Sequence, residues 1–403
     1  MKTIKFNLIK NAYIREIISN IRNNIFKFIM IICNNLIGIK SNKVVFISFS
    51  GKSYSDNPRA ISEVLYRLYP GHEIIWIFND IESKKNIIPK YVKCVKNHSL
   101  KALIELSTAK IWVDNFCKPK YVYKSKNQKY IQTWHGDRGF KKILHDSPFV
   151  SQGYSIVEEK YCDLAIAGSE YGKMQYQSAF KYKGNILLKG TPRNDILIND
   201  ISHKTKKIIK DSFNIKTNTK ILLYAPTLRR EAENNSLMQS IGKIDLDKIL
   251  KKLESNNDEE WICMIRSHSA VKGIDGIPIN DKFIDVSDYE DMSEILLISD
   301  ILITDYSSSS GDFALLKRPI ILFQEDRDEY IKKDRTFYFD IDKSPYFIAK
   351  NQREVIDIID NIDNISKIIK NCNDILEFYG TNETGKASEE VVKYIVEWTQ
   401  KNN

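Results

Sequence analysis

From position 43 onward, short runs of β-branched and aromatic residues alternate with amphipathic stretches, and no other feature of the sequence restricts the fold so severely. The apolar runs fall at 44–49, 74–78, 111–114, 130–134, 164–167 and 186–189, and again at 221–225, 261–265, 283–286, 301–304 and 320–323. Runs this short and this continuously apolar suit strands buried on both faces. Stretches of helical spacing between them, such as 61–68 and 100–106, supply crossovers, so the pattern predicts βαβ units around parallel sheets. A charged, Lys-rich stretch at 199–218 breaks the rhythm, and 403 residues exceed one ordinary core. The expected organisation is a leader over 1–42, an α/β domain over 43–198, a second α/β domain over 199–350, and helices over 351–403 that cover the second domain or cross back to the first. Two such domains in tandem enclose a cleft, and open α/β sheets bind ligands outside the carboxyl ends of their strands.

The charge distribution narrows the partners. The chain carries a net charge of +9, but the first 43 positions hold eight basic residues against the single acid Glu16, so seven of those nine charges sit within them. Its apolar run at 25–33 is interrupted by Lys27 and falls short of the roughly 20 residues that span a bilayer. The expectation is a basic amphipathic leader lying on an anionic cytoplasmic membrane surface, each basic residue contributing about 1 kcal/mol. The competing reading is a helix packed on the first domain. Nucleic acid is a poor fit, because the charge is concentrated in one apolar leader rather than along a groove-fitting helix. Six cysteines lie far apart with no C-x-x-C pair, which indicates neither a disulfide framework nor a zinc site and suits a reducing compartment.

Chemistry-bearing residues gather where the runs end. "ILITDYSSSSGDFALLKRP" (301–319) reads as a buried strand, then Asp305, Tyr306 and the serines Ser307, Ser308 and Ser309, then a helix. Free backbone N–H groups and hydroxyls there would suit a phosphate, although Ser309 and Asp312 also fit a capping box. "YAPTLRR" brings Thr227, Arg229 and Arg230 to one strand end, and "MIRSHS" brings Arg266, Ser267 and His268 to another. Arginine suits a diphosphate because its planar fork pairs with two oxygens at once. In the first half, "QTWHGDRGFKK" places His135 beside a glycine, with Arg138, Lys141 and Lys142 near enough to attract an anion. "GKSYSDNPRAI" offers Asp56 and Asn57 either as helix caps or as acceptor-binding groups, and Arg193 in "KGTPRND" either reaches the cleft or pins the two halves. The D-x-D pairs Asp245/Asp247 and Asp340/Asp342 follow no convincing buried strand, so no metal or other cofactor is expected.

"YSDNPR", "WHG…KK", "GTPRND", "YAPTLR", the "IRSH" strand end and above all the block at 285–323 resemble the CDP-glycerol glycerophosphotransferases of teichoic acid and capsular polymer synthesis. The resemblance runs from about 43 to 330. It implies a GT-B fold of two Rossmann-like domains, attachment to the cytoplasmic membrane face, and transfer of glycerol phosphate from CDP-glycerol to a hydroxyl acceptor, lipid-linked or polymeric, with release of CMP. It puts the two functional histidines at His135 and His268, and the nucleotide and pyrophosphate contacts at Thr227, Arg229, Arg266, Asp305, Ser307 and Ser308. The sequence departs from the commoner pattern after His135, at Asp137–Phe140, and at Ser269, which bears on the acceptor and the polyol. A nucleotide-sugar glycosyltransferase on the same scaffold is the alternative enzyme, and a non-catalytic, membrane-associated polyanion-binding protein is the alternative of another class.

Overall fold

A computed structural model describes residues 2–148, 157–200, 202–227, 229, 244–267, 280–333 and 336–400. Its strands form two sheets among the described residues, and every strand pair is parallel. The first sheet contains β1 (Lys40–Ile47), β2 (Glu73–Phe78), β3 (Lys93–Lys96), β4 (Ala109–Asp114), β5 (Lys129–Gln132), β6 (Leu164–Ala167) and β7 (Asn185–Leu188), in the order β3-β2-β1-β4-β5-β6-β7. The second contains β8 (Lys220–Ala225), β9 (Trp261–Ile265), β10 (Phe283–Asp285), β11 (Ile301–Thr304), β12 (Ile320–Phe323) and β13 (Phe347–Ala349), in the order β10-β9-β8-β11-β12-β13. Each sheet therefore reverses its strand order once, at β1/β4 and at β8/β11, and the crevice for a ligand opens at such reversals.

The strands run continuously apolar because both faces are covered. Val44 and Phe46 of β1 join a core beneath the Asp56–Leu68 helix, while Val45 and Ile47 point the other way into a core beneath the Leu100–Thr108 helix. The second sheet repeats this, with Ile221 and Leu223 on one face and Leu222 and Tyr224 on the other. Two edge strands, β3 and β13, escape the sequence pattern. Each is short, and β3 has only Cys94 and Val95 between two lysines. The charged stretch at 199–218 carries an amphipathic helix, Lys204–Ser212, whose Ile209 enters the core of the second sheet.

The terminal segments tie the halves together. The Gln352–Ile359 and Ile365–Phe378 helices pack on the second sheet, whereas the Ala387–Gln400 helix returns to the first and buries Val391, Val392, Ile395 and Val396 against it. The leader forms one helix, Lys2–Ile37, anchored by Met30 in the core and by a hydrogen bond from Asn34 Nδ2 to Ser107 O of 2.7 Å. Packing on the first domain thus accounts for one of its faces. Another is open to solvent: Ile14, Ile18, Ile21, Ile25, Phe28 and Ile32 are exposed, and their spacing of three and four residues lines them along one stripe. Among the described residues no helix is long and apolar enough to cross a membrane.

Candidate active site

His135 stands three residues beyond the end of β5, on a turn whose shape is forced. Trp134 takes a φ of 49°, left-handed for an aromatic residue, and Asn57 Nδ2 holds the turn by donating to Trp134 O at 2.9 Å. Phe49, Ser50 and Asp56 on the same rim are also left-handed, so the segments that follow β1 and β5 both carry unfavourable backbone. The imidazole Nδ1 lies 2.7 Å from the backbone oxygen of Asn115, the residue after β4. A carbonyl can only accept, so Nδ1 carries the proton and Nε2 keeps its lone pair. The ring is stacked on Phe116 at 5.5 Å. Burial pushes its pKa down to about 4, against the pull of the Asn115 hydrogen bond and with help from the Arg193 guanidinium. A neutral imidazole with a free nitrogen is a proton acceptor in waiting.

The opposite wall is the serine loop after β11. A Cβ placed on Gly136 would sit 3.4 Å from Ser308 Oγ, so the turn after His135 lies in packing distance of the serine loop. Between them lies a cavity of about 280 Å³ lined by Phe49, Asp56, His135 and Arg193 from one half and by Thr227, Arg266, Ser307, Ser308, Ser309 and Asp312 from the other. Ser307 Oγ and Ser309 Oγ are 2.8 Å apart. Asp305 accepts from Thr227 N and from Tyr306 N, which shapes the loop rather than the cavity. Arg266 donates to Val286 O at 3.3 Å, and burial lowers its pKa. Among the described residues its hydrogen bond is to that carbonyl, with Asp291 and Glu290 acting through space, so its guanidinium suits an incoming anion.

Several expected ligands have other duties. Arg138 is completely buried. It donates to Asp312 Oδ1 at 2.6 Å and Glu383 Oε1 at 2.9 Å and pairs with Asp137, so it locks the halves together and does not face an anion. The Ser309/Asp312 capping box does not form. Ser308 is the N-cap without a side-chain bond, the helix covers only Ser309–Phe313, and Asp312 accepts from Arg138, Arg193 and Asn194. Burial alone would raise the Asp312 carboxyl, but Arg193 and Arg138 hold it below its ordinary value. Asn57 is buried and holds Trp134 O and Arg193 N, a turn-fixing role in place of acceptor contact. Lys141 bridges to Phe337 with its Nζ over the Tyr330 ring, outside the cavity. Arg229 also lies outside it. Asp305 and Asp326 pair with its guanidinium at 2.9 and 2.6 Å, and the rings of Tyr306 and Tyr330 flank it, which makes it a support for the serine loop. Asp245 and Asp340 serve as helix caps. His268 and Arg230 lie outside the described residues.

Two residues were not legible from spacing. Asn115 is buried and links three parts of the acceptor wall: its oxygen holds His135, its Nδ2 donates to Asp56 Oδ1 at 3.0 Å, and its Oδ1 accepts from Phe49 N at 2.7 Å. Its position directly after a strand, in "VDNF", was the available signal. Glu383 comes from the segment before the last helix and binds Arg138, Asn194 and Thr191, and nothing in its sequence context announces this.

The sequence matches the family model of CDP-glycerol:poly(glycerophosphate) glycerophosphotransferases over residues 28–397. It is 33% identical to a teichoic acid poly(glycerol phosphate) polymerase of Bacillus subtilis (strain 168), an alignment covering 89% of this chain and 49% of that protein. The chain therefore spans about half the length of that relative. It is 35% identical to a teichoic acid glycerol-phosphate transferase of Staphylococcus aureus (strain NCTC 8325 / PS 47), with 78% of this chain and 82% of that one covered. Among solved structures, the wall teichoic acid polymerase TagF superposes with a TM-score of 0.82 at 29% identity, covering 97% of each chain.

Proposed function

The chain belongs to the CDP-glycerol:poly(glycerophosphate) glycerophosphotransferase family, and from that premise we propose that it transfers glycerol phosphate from CDP-glycerol to an acceptor hydroxyl in the synthesis of a teichoic-acid-like or capsular polymer. The observation that carries this reading is the neutral His135, whose Nε2 is free and whose turn packs against the serine loop. The acceptor oxygen attacks the phosphorus that bears glycerol. The new O–P bond forms, the bond from that phosphorus to the bridging oxygen breaks, and CMP leaves with the bonding pair. The acceptor proton passes to His135 Nε2. A free hydroxyl is far too weakly acidic to ionise near neutrality, so a positioned base contributes about 10²- to 10⁴-fold.

CMP needs charge stabilisation more than a proton, and phosphoryl transfer is largely a matter of positioning and electrostatics. Arg266 and the Thr227, Ser307, Ser308 and Ser309 hydroxyls line the donor side of the cavity and suit that task. Arg229 and Asp305 act behind them, holding the loop in shape. His268 is assigned to the donor phosphates on the family resemblance alone. The exposed apolar stripe and positive charge of the leader support peripheral contact with an anionic membrane, where a lipid-linked acceptor would be met.

Purified protein given CDP-glycerol, CDP-ribitol or UDP-sugars with a glycerol-phosphate-terminated acceptor tests the reading by mass spectrometry of the products. CMP and an acceptor heavier by one glycerol phosphate are expected. His135→Ala should abolish most turnover while CDP-glycerol binding persists. Release of UDP from a UDP-sugar instead would overturn the assignment.

A further inference from the structure

Arg193 is held by one edge of its guanidinium: Nε and Nη2 donate to Asp312 Oδ2 at 3.2 and 2.9 Å. The remaining nitrogen, Nη1, is buried and has no hydrogen-bond partner, although the side chain is only 6% exposed. It points toward Asp56 Oδ2 at 3.7 Å, too far for a direct hydrogen bond. Asp56 is half-committed in the same way, since Oδ1 accepts from Asn57 N at 2.7 Å and Asn115 Nδ2 at 3.0 Å. An unpaired buried donor therefore faces a carboxylate oxygen across a gap that a third atom can bridge. Both residues line the 280 Å³ cavity with His135, and both also border a second cavity of about 470 Å³, so the pair stands in the wall between the two, with Nη1 itself turned away from solvent.

The occupant follows from the chemistry of the pair. A phosphate oxygen would suit Arg193 but would be repelled by Asp56, whereas a hydroxyl donates to the carboxylate and accepts from the guanidinium at once. An oxygen about 2.8 Å from each group fits a separation of 3.7 Å. Asn115 fixes this subsite relative to the base, because its backbone oxygen holds His135 and its side chain holds Asp56. Resting on the transferase reading above, we infer that Asp56 and Arg193 form a hydroxyl subsite for the acceptor. It holds the hydroxyl next to the attacking one, so the site selects an acceptor that ends in a vicinal diol. The left-handed backbone of Asp56, with a φ of 63°, is consistent with a residue placed for binding at some conformational cost.

The test compares two synthetic acceptors with the wild-type enzyme and CDP-glycerol: one ending in glycerol phosphate, the other in 3-hydroxypropyl phosphate, which lacks only the second hydroxyl. Losing a hydrogen bond to charged partners should lower kcat/KM by about 10- to 100-fold for the second acceptor. Asp56→Asn should bring the two acceptors to nearly equal kcat/KM while the CDP-glycerol Kd stays unchanged. Equal use of both acceptors by the wild-type enzyme overturns the subsite without any variant having to fold, and so does an Asp56→Asn enzyme that keeps the preference. In both cases CMP release continues and the transferase reading stands. No CMP from either acceptor would remove that reading, and the subsite with it.

Discussion

Asp312→Asn is the most informative single perturbation of the framework. Its carboxylate accepts from Arg138 Nη2 at 2.6 Å, Arg193 Nη2 at 2.9 Å, Arg193 Nε at 3.2 Å and Asn194 Nδ2 at 3.0 Å, all out of solvent. The substitution keeps the volume, removes the charge and turns an N–H group toward one of two guanidinium groups. Removing one partner of a buried ion pair costs about 3–5 kcal/mol, a large part of the 5–15 kcal/mol typical of a folded domain. At roughly 2–4 °C per kcal/mol, the melting temperature should fall by about 6–20 °C. Asp245→Asn is the control. Asp245 is an exposed cap that accepts from Lys248 N at 2.9 Å, and Asn caps as well as Asp, so its melting temperature should stay near wild type. The pH dependence has a definite sign. The Asp312 pKa is depressed in the folded protein, so its contribution is complete above the unfolded value of about 3.9 and is lost only as pH falls through the lower folded value. The difference between wild type and Asp312→Asn should therefore hold from pH 8 to pH 5 and shrink in stronger acid. A variant melting within about 2 °C of wild type at pH 7 would refute the view that this carboxylate holds the halves together.

Burial lowers the His135 pKa from 6.5 to about 4, so the free enzyme keeps its neutral base as pH falls below 6.5, and the acid limb of kcat/KM should lie near pH 4. A limb at 6.5 or above would contradict the geometry. Arg229→Ala strands Asp305 and Asp326, so it should cost about 3–5 kcal/mol of stability in chemical denaturation. If stability is unchanged and only CDP-glycerol affinity falls, Arg229 is a direct ligand after all. Ile18→Glu with Ile25→Glu places charge on the exposed stripe of the leader, so co-sedimentation with anionic phospholipid vesicles should fall at least tenfold while the melting temperature holds. Undiminished sedimentation would detach the stripe from membrane contact.

The strands were legible because burial on both faces writes itself into the chain. Leu164–Ala167, Trp261–Ile265, Ile301–Thr304 and Ile320–Phe323 coincide with uninterrupted apolar runs. The strands at 93–96 and 347–349 were not legible, since each is only three or four residues long and buries a single residue, which leaves no apolar run to read. At the site, motif position identified which residues gather, but not which atoms face the ligand. Arg138, Arg193 and Arg266 look alike in sequence, each an arginine near a strand end. In space Arg138 meets three acids, Arg193 meets Asp312 along one edge with Asp56 3.7 Å from the other, and Arg266 donates to a backbone carbonyl. What separates them is the number of carboxylates within reach, and two of those, Asp312 and Glu383, arrive from 174 and 245 residues beyond Arg138. No local pattern records such distances.

The halves also meet through an aromatic cluster in which Phe140 and Tyr171 pack on Phe339, Tyr346 and Tyr379, and the placement of those carboxylates adds the directional contacts that hold a reacting geometry. Arg138 lies three residues after His135, and Asp312 lies three residues after Ser309, so the bond between them joins the turn carrying the base to the loop on the donor side. Arg193 adds the turn between the domains to the same carboxylate and leaves one nitrogen over for the cavity. An apolar contact would tolerate sliding by an ångström, whereas paired hydrogen bonds do not, and a misplacement of that size can cost phosphoryl transfer about 100-fold. The hub therefore fixes the register of the two walls, while Asn115 fixes His135 and Asp56 within one of them.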